Sequence, residues 1–464
     1  MRNEPLCLVQ EPARATPVRA EVDVLVVGAG PAGVIAAMAA AEGGLSVALV
    51  EGRSFVGGNL TIGLPVLGFL SQKGKPIIAG LPQKFIDRLK VEHAASEHRP
   101  CPLHVSLTLV EPEAVKSVAM EMLRECGVDV MLYSMFTDVV MDGDRIRGVL
   151  IESKAGREAI LARVVVDCTG DADVAVRAGV PCEKGDEQGG MQPPTLMFCM
   201  VGVDTEKLRR CLRNAPETYR VDFIPPAYFG QNDRFIVVGL RQQIQAAQAA
   251  GLVIATERTI LITGLRQGDV WVNMTRVKGV DGTNPRSLAV GETEARRQIS
   301  DIVRYLIEYV PGFEQAHFSK AAPFLGIRET RRIVGRYVMT RDDVLSCRRF
   351  DDAIAVASYP IDLHRPDDND CTLEWCGDCY DIPYRSLLPG GVMNLLVAGR
   401  CISTTHEAMA AIRVMSTCMA TGEAAGRAAA MAVRGEGLPA RIDVAVLRAE
   451  LVARGGYLRG LSPD

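Results

Sequence analysis

Two groups of residues have types and spacings that could do chemistry. The first is Gly28-Ala-Gly30-Pro31-Ala32-Gly33, which follows an apolar run at 24–27 and leads into an alanine-rich stretch ending near Gly44. A second apolar run, 47–50, closes on Glu51. In a strand–turn–helix of this kind Gly28 permits the tight turn, and Gly30 lets backbone N–H groups approach a pyrophosphate. Gly33 lets helix and strand pack closely. The helix N-terminus adds partial positive charge for the phosphates, and Glu51 can accept hydrogen bonds from ribose hydroxyls. The glycine spacing alone is weak evidence. Between two apolar strands, with an acid at this distance, it specifies a dinucleotide site.

The second group is Cys371, Cys376 and Cys379, spaced C-x4-C-x2-C like the ligands of plant-type two-iron, two-sulfur clusters. A fourth ligand would have to come from afar, from Cys347 or Cys401. Cys376 and Cys379 also fit a redox dithiol. The plain alternative, which the isolation of the run favours, is three loop cysteines near a domain junction with no redox task. No metal ligand set is expected.

The elements that position these groups follow from the texture of the chain. At 464 residues it is too long for one compact core. Residues 1–20 are rich in proline and arginine and read as an N-terminal arm. Residues 21–190 read as the first part of a Rossmann-like domain. It contains a helix at 111–126, a small antiparallel meander over 128–160, and a buried parallel-type strand at 162–167. Residues 191–385 have more prolines, a polar helix around 288–310 and no second glycine fingerprint. They read as an inserted α+β substrate domain. Residues 386–464 return to the first domain, with a small-residue helix at 408–432 and an amphipathic helix at 443–454. The expected fold class is α/β, a parallel sheet plus antiparallel meander with an inserted domain.

Composition excludes some partners. A content of 48% hydrophobic and 23% charged residues is ordinary for a soluble protein, and a net charge of −4 gives no reason to expect nucleic acid or anionic membrane. No apolar run approaches the ~20 residues of a membrane span, and the first residues lack the apolar core of a secretory signal. Thirteen cysteines, an odd number at core-like positions, suit reduced thiols and a cytoplasmic location.

Two later features decide which dinucleotide is expected. The loop Gly57-Gly58-Asn59-Leu60-Thr61, shortly beyond Glu51, is placed to run along a flavin ring rather than a nicotinamide. The segment 394–400, followed by a helix, could aim backbone N–H groups at the anionic edge of a reduced flavin. The alternative is that 394–426 is one more strand and helix of the sheet. The balance favours FAD over NAD(P).

From about residue 21 to 458 the chain resembles the FAD-dependent oxidoreductase family, related to the fumarate reductase flavoprotein and the glutathione reductase-like superfamily. The stretches that carry the resemblance are 23–33, 57–63, 165–171 (Val-Val-Asp-Cys-Thr-Gly-Asp), 326–335 (Gly-Ile-Arg-Glu-Thr-Arg-Arg-Ile-Val-Gly), 359–364 (Tyr-Pro-Ile-Asp-Leu-His), 382–389 and 394–426. The three clustered cysteines lie outside it. The resemblance implies FAD and says little about substrate. It implies a cofactor shell of Gly28, Gly30, Pro31, Ala32, Gly33, Glu51, Gly52 and Arg53, followed by Gly57, Gly58, Asn59, Leu60 and Thr61. Phe136, Thr169, Gly170 and Asp171 come next, then Gly399, Arg400, Arg413, Val414 and Met415.

The catalytic candidates are His364, Arg328, His406 and Arg331. His364 ends an apolar segment and opens a polar loop, and a histidine is the natural acid or base at neutral pH. Its alternative is a loop cap. His406, beside Glu407, either moves protons or holds the flavin loop. Arg328 and Arg331 are three apart on an expected helical turn, so either could clamp a carboxylate or serve as an interface charge. Arg400 either meets the pyrophosphate or neutralises an acid. The expected activity is hydride transfer between a small, anionic organic substrate and flavin N5. With a single dinucleotide fingerprint, a separate electron donor or acceptor is expected, and a homo-oligomer is open. The rival readings are a flavin-bearing electron-relay subunit of a larger complex and a protein that binds FAD for structure only.

Overall fold

The computed structural model describes Cys7 and residues 9–462. The arm expected over 1–20 falls partly outside the described residues. Its last part is a strand, because β1 (Val18–Val27) begins before the apolar run at 24. Val18 and Ala20 pair there with Ala159 and Ile160. β1, α1 (Pro31–Ala41) and β2 (Val47–Val50) form the opening β–α–β unit, with Val24 opposite Val47 in parallel register.

The main sheet has the strand order Asp129–Met131, β2, β1, Gly156–Asp167, Arg145–Ser153, Met135–Asp142. The strand Gly156–Asp167 serves two neighbours on one edge. Its first half pairs antiparallel with Arg145–Ser153, and its last residues, Val165 to Asp167, pair parallel with Leu395–Val397. The late segment thus enters the same sheet as the opening turn, 228 residues after it closes its partner strand (395 − 167). A second sheet is antiparallel throughout, in the order Ile236–Gly239, Thr259–Thr263, Val270–Val272, Phe198–Val201, His317–Ala321. It is backed by the helix Pro285–Tyr309.

Each sheet has its own core. The second core is built mainly from residues 196–325, with Ile62, Leu67, Cys101, Leu103, Leu107 and Leu109 from the first part of the chain and Tyr359 and Val414 from later. Most buried apolar residues between Ile333 and Leu388 pack instead into the first core, whereas Tyr359 belongs to the second.

α1 is buried at every position but its first, as expected for an alanine-rich helix apolar on all sides. Its partner is the long helix Met415–Arg434. The contact depends on glycine: a Cβ at Gly422 would lie 2.2 Å from the Ala32 carbonyl oxygen, and one at Gly426 2.2 Å from that of Ala36. The single helix expected over 408–432 is in fact two, His406–Ile412 and Met415–Arg434, separated by Arg413 and Val414. No helix among the described residues is long and apolar enough to cross a membrane.

Candidate functional site

A cavity of about 470 Å³ lies between the two cores. The main sheet contributes the Gly28–Ala32 turn, Glu51, Phe136, Thr169–Asp171 and Ala398–Arg400 to its wall. The second sheet contributes Met197 and Asn273, and the chain crossing between the cores contributes Leu325 to Arg328.

The turn is sterically fixed. Gly28 has φ +95°, and a Cβ there would sit 2.6 Å from the Cys168 carbonyl oxygen. A Cβ at Gly33 would lie 1.8 Å from the Gly28 carbonyl oxygen, whereas one at Gly30 would meet nothing within 4 Å. Gly30 lines the cavity, so a side chain there would occupy cavity space. Gly30 also caps α1 without any side-chain bond, and the first intrahelical bond is Val34 N–H to Gly30 C=O. The N–H groups of Ala32 and Gly33 are therefore free of helix partners at the cavity, together with the positive end of the helix dipole. Glu51 is buried, and each of its carboxylate oxygens accepts one backbone N–H at 2.9 Å, from Ala29 and from Arg53. One lone pair per oxygen remains for ribose hydroxyls.

A second helix N-terminus reaches the same cavity. Met415–Arg434 has no side-chain cap at Val414, and Met415 lines the wall. The break at Arg413–Val414 creates that free end and sends Arg413 into the cavity. A phosphate-binding helix end, a fixed carboxylate and a second helix end facing one elongated cavity fit a flavin dinucleotide.

Of the residues expected to hold the cofactor, Gly28, Gly30, Pro31, Ala32, Glu51, Gly52, Arg53, Gly58, Asn59, Phe136, Thr169, Gly170, Asp171, Gly399, Arg400, Arg413 and Met415 line the cavity. Gly33, Gly57, Leu60, Thr61 and Val414 do not. They shape it instead: Gly57 N–H donates to Ala29 C=O at 2.7 Å, and Thr61 Oγ1 donates to Gly58 C=O at 2.8 Å. Arg400 Nε donates to Gly170 C=O at 2.7 Å, and its Nη2 pairs with Asp171 at 2.5 Å, so it neutralises an acid while lining the wall.

The catalytic candidates separate. Arg328 lines the cavity and donates to Thr195 Oγ1 at 2.7 Å and to Pro193 C=O. Burial, then the nearby Arg413 and Arg276, push its guanidinium down to about 9. The expected helical turn is absent: Arg328 lies in irregular chain and Arg331 opens the strand Arg331–Ile333. The two arginines therefore do not share a face. Arg331 is spent on Asp171 C=O at 2.8 Å and on Asp173. His406 is not among the lining residues; its Nδ1 is 2.7 Å from Glu329, which also holds Arg332.

His364 borders a smaller side pocket rather than the main cavity. Arg276 Nη1 donates to its Nδ1 at 3.1 Å, and its Nε2 faces Asp362 Oδ1 at 3.3 Å. The tautomer is therefore Nε2–H, and both ring nitrogens are engaged. Burial, then Arg328, push the imidazole down to about 4, against the pull of Asp362. His364 is therefore neutral at pH 7. Burial opposes ionisation of Asp362, yet the hydrogen bond from His364 Nε2–H and the charge of Arg413 hold its carboxyl far below the usual range. Tyr359 OH donates to it at 3.1 Å and Arg413 Nη2 donates to its carbonyl at 3.0 Å.

Asp362, Arg276, Thr195 and Asn273 were not anticipated. Asp362 was legible, since residues i and i+2 of the strand Ile361–Leu363 and its extension share a face, placing it beside His364. Arg276, 88 residues from His364, carried no local signal.

The cysteine run divides between two places, with Cys376 and Cys379 near Cys347 and Cys371 apart from them. Cys371 lies with Asp362 and His364, their ligand atoms within 4.8 Å of one another, whereas Cys376 and Cys379 belong to no such group among the described residues. The Asp362–His364–Cys371 donors are also engaged, the thiol facing Arg258 Nη1 at 3.4 Å, and surrounding guanidinium groups oppose a cation there. All thirteen thiols are free.

The chain is 31% identical over 167 residues to thiamine thiazole synthase from Aeropyrum pernix, a match covering 33% of this chain and 57% of that protein. It is 46% identical over 67 residues to a ferredoxin–NADP reductase from Salinispora tropica, covering 13% and 21%. The chain thus spans about half, and about a fifth, of the length of these relatives. Among solved structures, p-nitrophenol 4-monooxygenase from Pseudomonas putida shares 14% identity with a TM-score of 0.47, covering 93% of this chain and 84% of that one. The model of the family described as FAD dependent oxidoreductase matches residues 23–451, and the chain belongs to that family.

Proposed function

We propose that this FAD-dependent oxidoreductase transfers a hydride between a carbon of a small anionic organic substrate and the cofactor. The observation that carries this reading is the pair of arginines, Arg328 and Arg413, at the cavity wall where the two cores meet. Arg413 Nε is buried without a partner, and Arg328 is crowded by two like charges. A carboxylate would satisfy the first and relieve the second.

When bound, FAD supplies the two-electron redox chemistry. The residues of the chain do the rest. The Gly28–Gly33 turn and Glu51 anchor the dinucleotide, and the free end of Met415–Arg434 favours negative charge beside it. Arg328 and Arg413 orient the substrate, while His364 and Tyr359 keep Asp362 ionised as the counter-charge to Arg413. The electron partner is a separate molecule, because the chain carries a single dinucleotide turn. The electron-relay alternative drew on the cysteine run, in which Cys371 stands apart from Cys376 and Cys379.

The test is anaerobic screening of hydroxy acids, amines and other carboxylates for bleaching of the flavin. Bleaching by carboxylate-bearing donors and not by neutral analogues is expected. Bleaching by neutral donors alone would refute the anionic-substrate reading.

A further inference from the structure

Beside the arginine end of the cavity lies a side pocket of about 60 Å³, with Leu64 and Asn273 in the walls of both spaces. Its floor comes from one face of the second sheet. Register pairs Ile236 with Ile262 and Val238 with Ile260, and the alternation of strands directs this quartet to one side. Leu103 closes the pocket from the first part of the chain. The rim is polar: Asp362 and His364 are bonded to each other, Arg258 is held by Asp222 at 2.9 Å and Asp370 at 3.0 Å and faces Cys371, and the buried Nδ1 of His104 has no partner. The pocket therefore offers apolar walls beneath a carboxylate, within reach of an anion held by Arg328 and Arg413.

We propose that this pocket is the specificity subsite, admitting a short, uncharged substrate side group of two to four non-hydrogen atoms and rejecting a second carboxylate. The proposal rests on the anionic-substrate reading and adds the size and charge of what is attached to the anion. Size follows from volume. One water needs roughly 10–15 Å³ on this measure, and a cavity that takes benzene is about 150 Å³, so the pocket holds a short aliphatic branch but not a ring. Charge follows from Asp362, which a second carboxylate would face at close range, while the Arg258 guanidinium on the same rim is already paired with Asp222 and Asp370; such like-charge contacts are strongly disfavoured. The substrate class is then a short-chain monocarboxylate.

The test uses the FAD-loaded protein and reads binding through perturbation of the flavin absorption spectrum and by calorimetry. The probes are acetate, propanoate, butanoate, pentanoate, hexanoate, phenylacetate and succinate. Affinity is expected to rise roughly fourfold per added methylene through the shorter acids. It should stop rising once the tail exceeds four atoms, with phenylacetate excluded and succinate at least roughly tenfold weaker than butanoate. Ile260→Phe should move the cut-off to shorter acids and Leu103→Ala to longer ones; either variant decides if the other fails to fold. Equal affinity for acetate and pentanoate, or succinate binding more tightly than butanoate, overturns the subsite and leaves the arginine site standing. Absence of binding by every carboxylate overturns the anionic-substrate reading itself.

Discussion

Gly30 and Gly33 sit three residues apart in one turn, and the structure gives them opposite consequences on substitution. Gly30 has φ −74° and ψ −169°, extended backbone open to any residue, and an added Cβ meets nothing within 4 Å. Gly30→Ala should leave the apoprotein folded. Losing glycine at a helix cap costs up to ~1 kcal/mol, and the reduced freedom of the unfolded chain returns about 0.4–1 kcal/mol. The new methyl would stand where phosphate oxygens must approach the Ala32 and Gly33 N–H groups. Weakening two hydrogen bonds to a charged group, at about 1.5–3 kcal/mol each, should lower FAD affinity by roughly 10²- to 10⁴-fold. Gly33→Ala instead forces a Cβ to 1.8 Å from a backbone oxygen, an overlap no rotamer relieves. Its cost should reach or exceed the ~3 kcal/mol upper range for overpacking. The assay is thermal unfolding of both apoproteins beside titration of FAD by fluorescence quenching. The reasoning fails if Gly30→Ala binds FAD within threefold of the parent, or if its apoprotein is as destabilised as that of Gly33→Ala.

Other outcomes follow from particular contacts. Gly422→Val should destabilise the protein by about 3 kcal/mol or more and weaken FAD together, because a Cβ 2.2 Å from Ala32 C=O pushes apart the two helices whose ends face the cavity; chemical denaturation with flavin release measures both. Arg328→Gln should reduce acetate affinity roughly 10- to 150-fold, the worth of one charge-assisted bond, with FAD still bound; unchanged acetate affinity would remove Arg328 from the substrate site. Burial pushes His364 and His104 down to about 4, so both stay neutral in the folded protein while the unfolded chain protonates near 6.5. The unfolded state then binds more protons between those values. Stability should be level with respect to these groups above pH 7 and fall from about pH 6.5 toward 4, by up to ~1.4 kcal/mol per pH unit for each histidine. A denaturation series showing no loss over that interval would contradict the burial of both rings.

The legibility of the site varied with the range of the interactions. The dinucleotide turn was plain in the sequence because each of its requirements is local: a positive φ at Gly28, a close approach at Gly33, and an acid at the end of the next strand. The helix at 112–125 was expected within a residue because its apolar face repeats with the helical period, and the polar helix expected around 288–310 begins a few residues earlier, at Pro285. The arginine pair was misread as a helical face, since spacing alone does not distinguish a turn of helix from irregular chain ending in a strand. The break at Arg413–Val414 was also missed, because neither residue forbids a helix.

The sequence by itself determined the α/β class and the opening turn, which depend on local backbone requirements, and the identity of the cofactor, which rested on motifs repeated in order along the chain from 23–33 to 394–426. Only the tertiary structure decided what surrounds the substrate. Arg276 reaches His364 from 88 residues away, Arg328 meets Arg413, and Ile260 pairs with Val238 to floor the side pocket. Such contacts are set by how two cores close on one cavity. Hydrophobic burial drives that closure and is indifferent to which polar side chains it brings together, so their chemistry cannot be read from spacing along the chain.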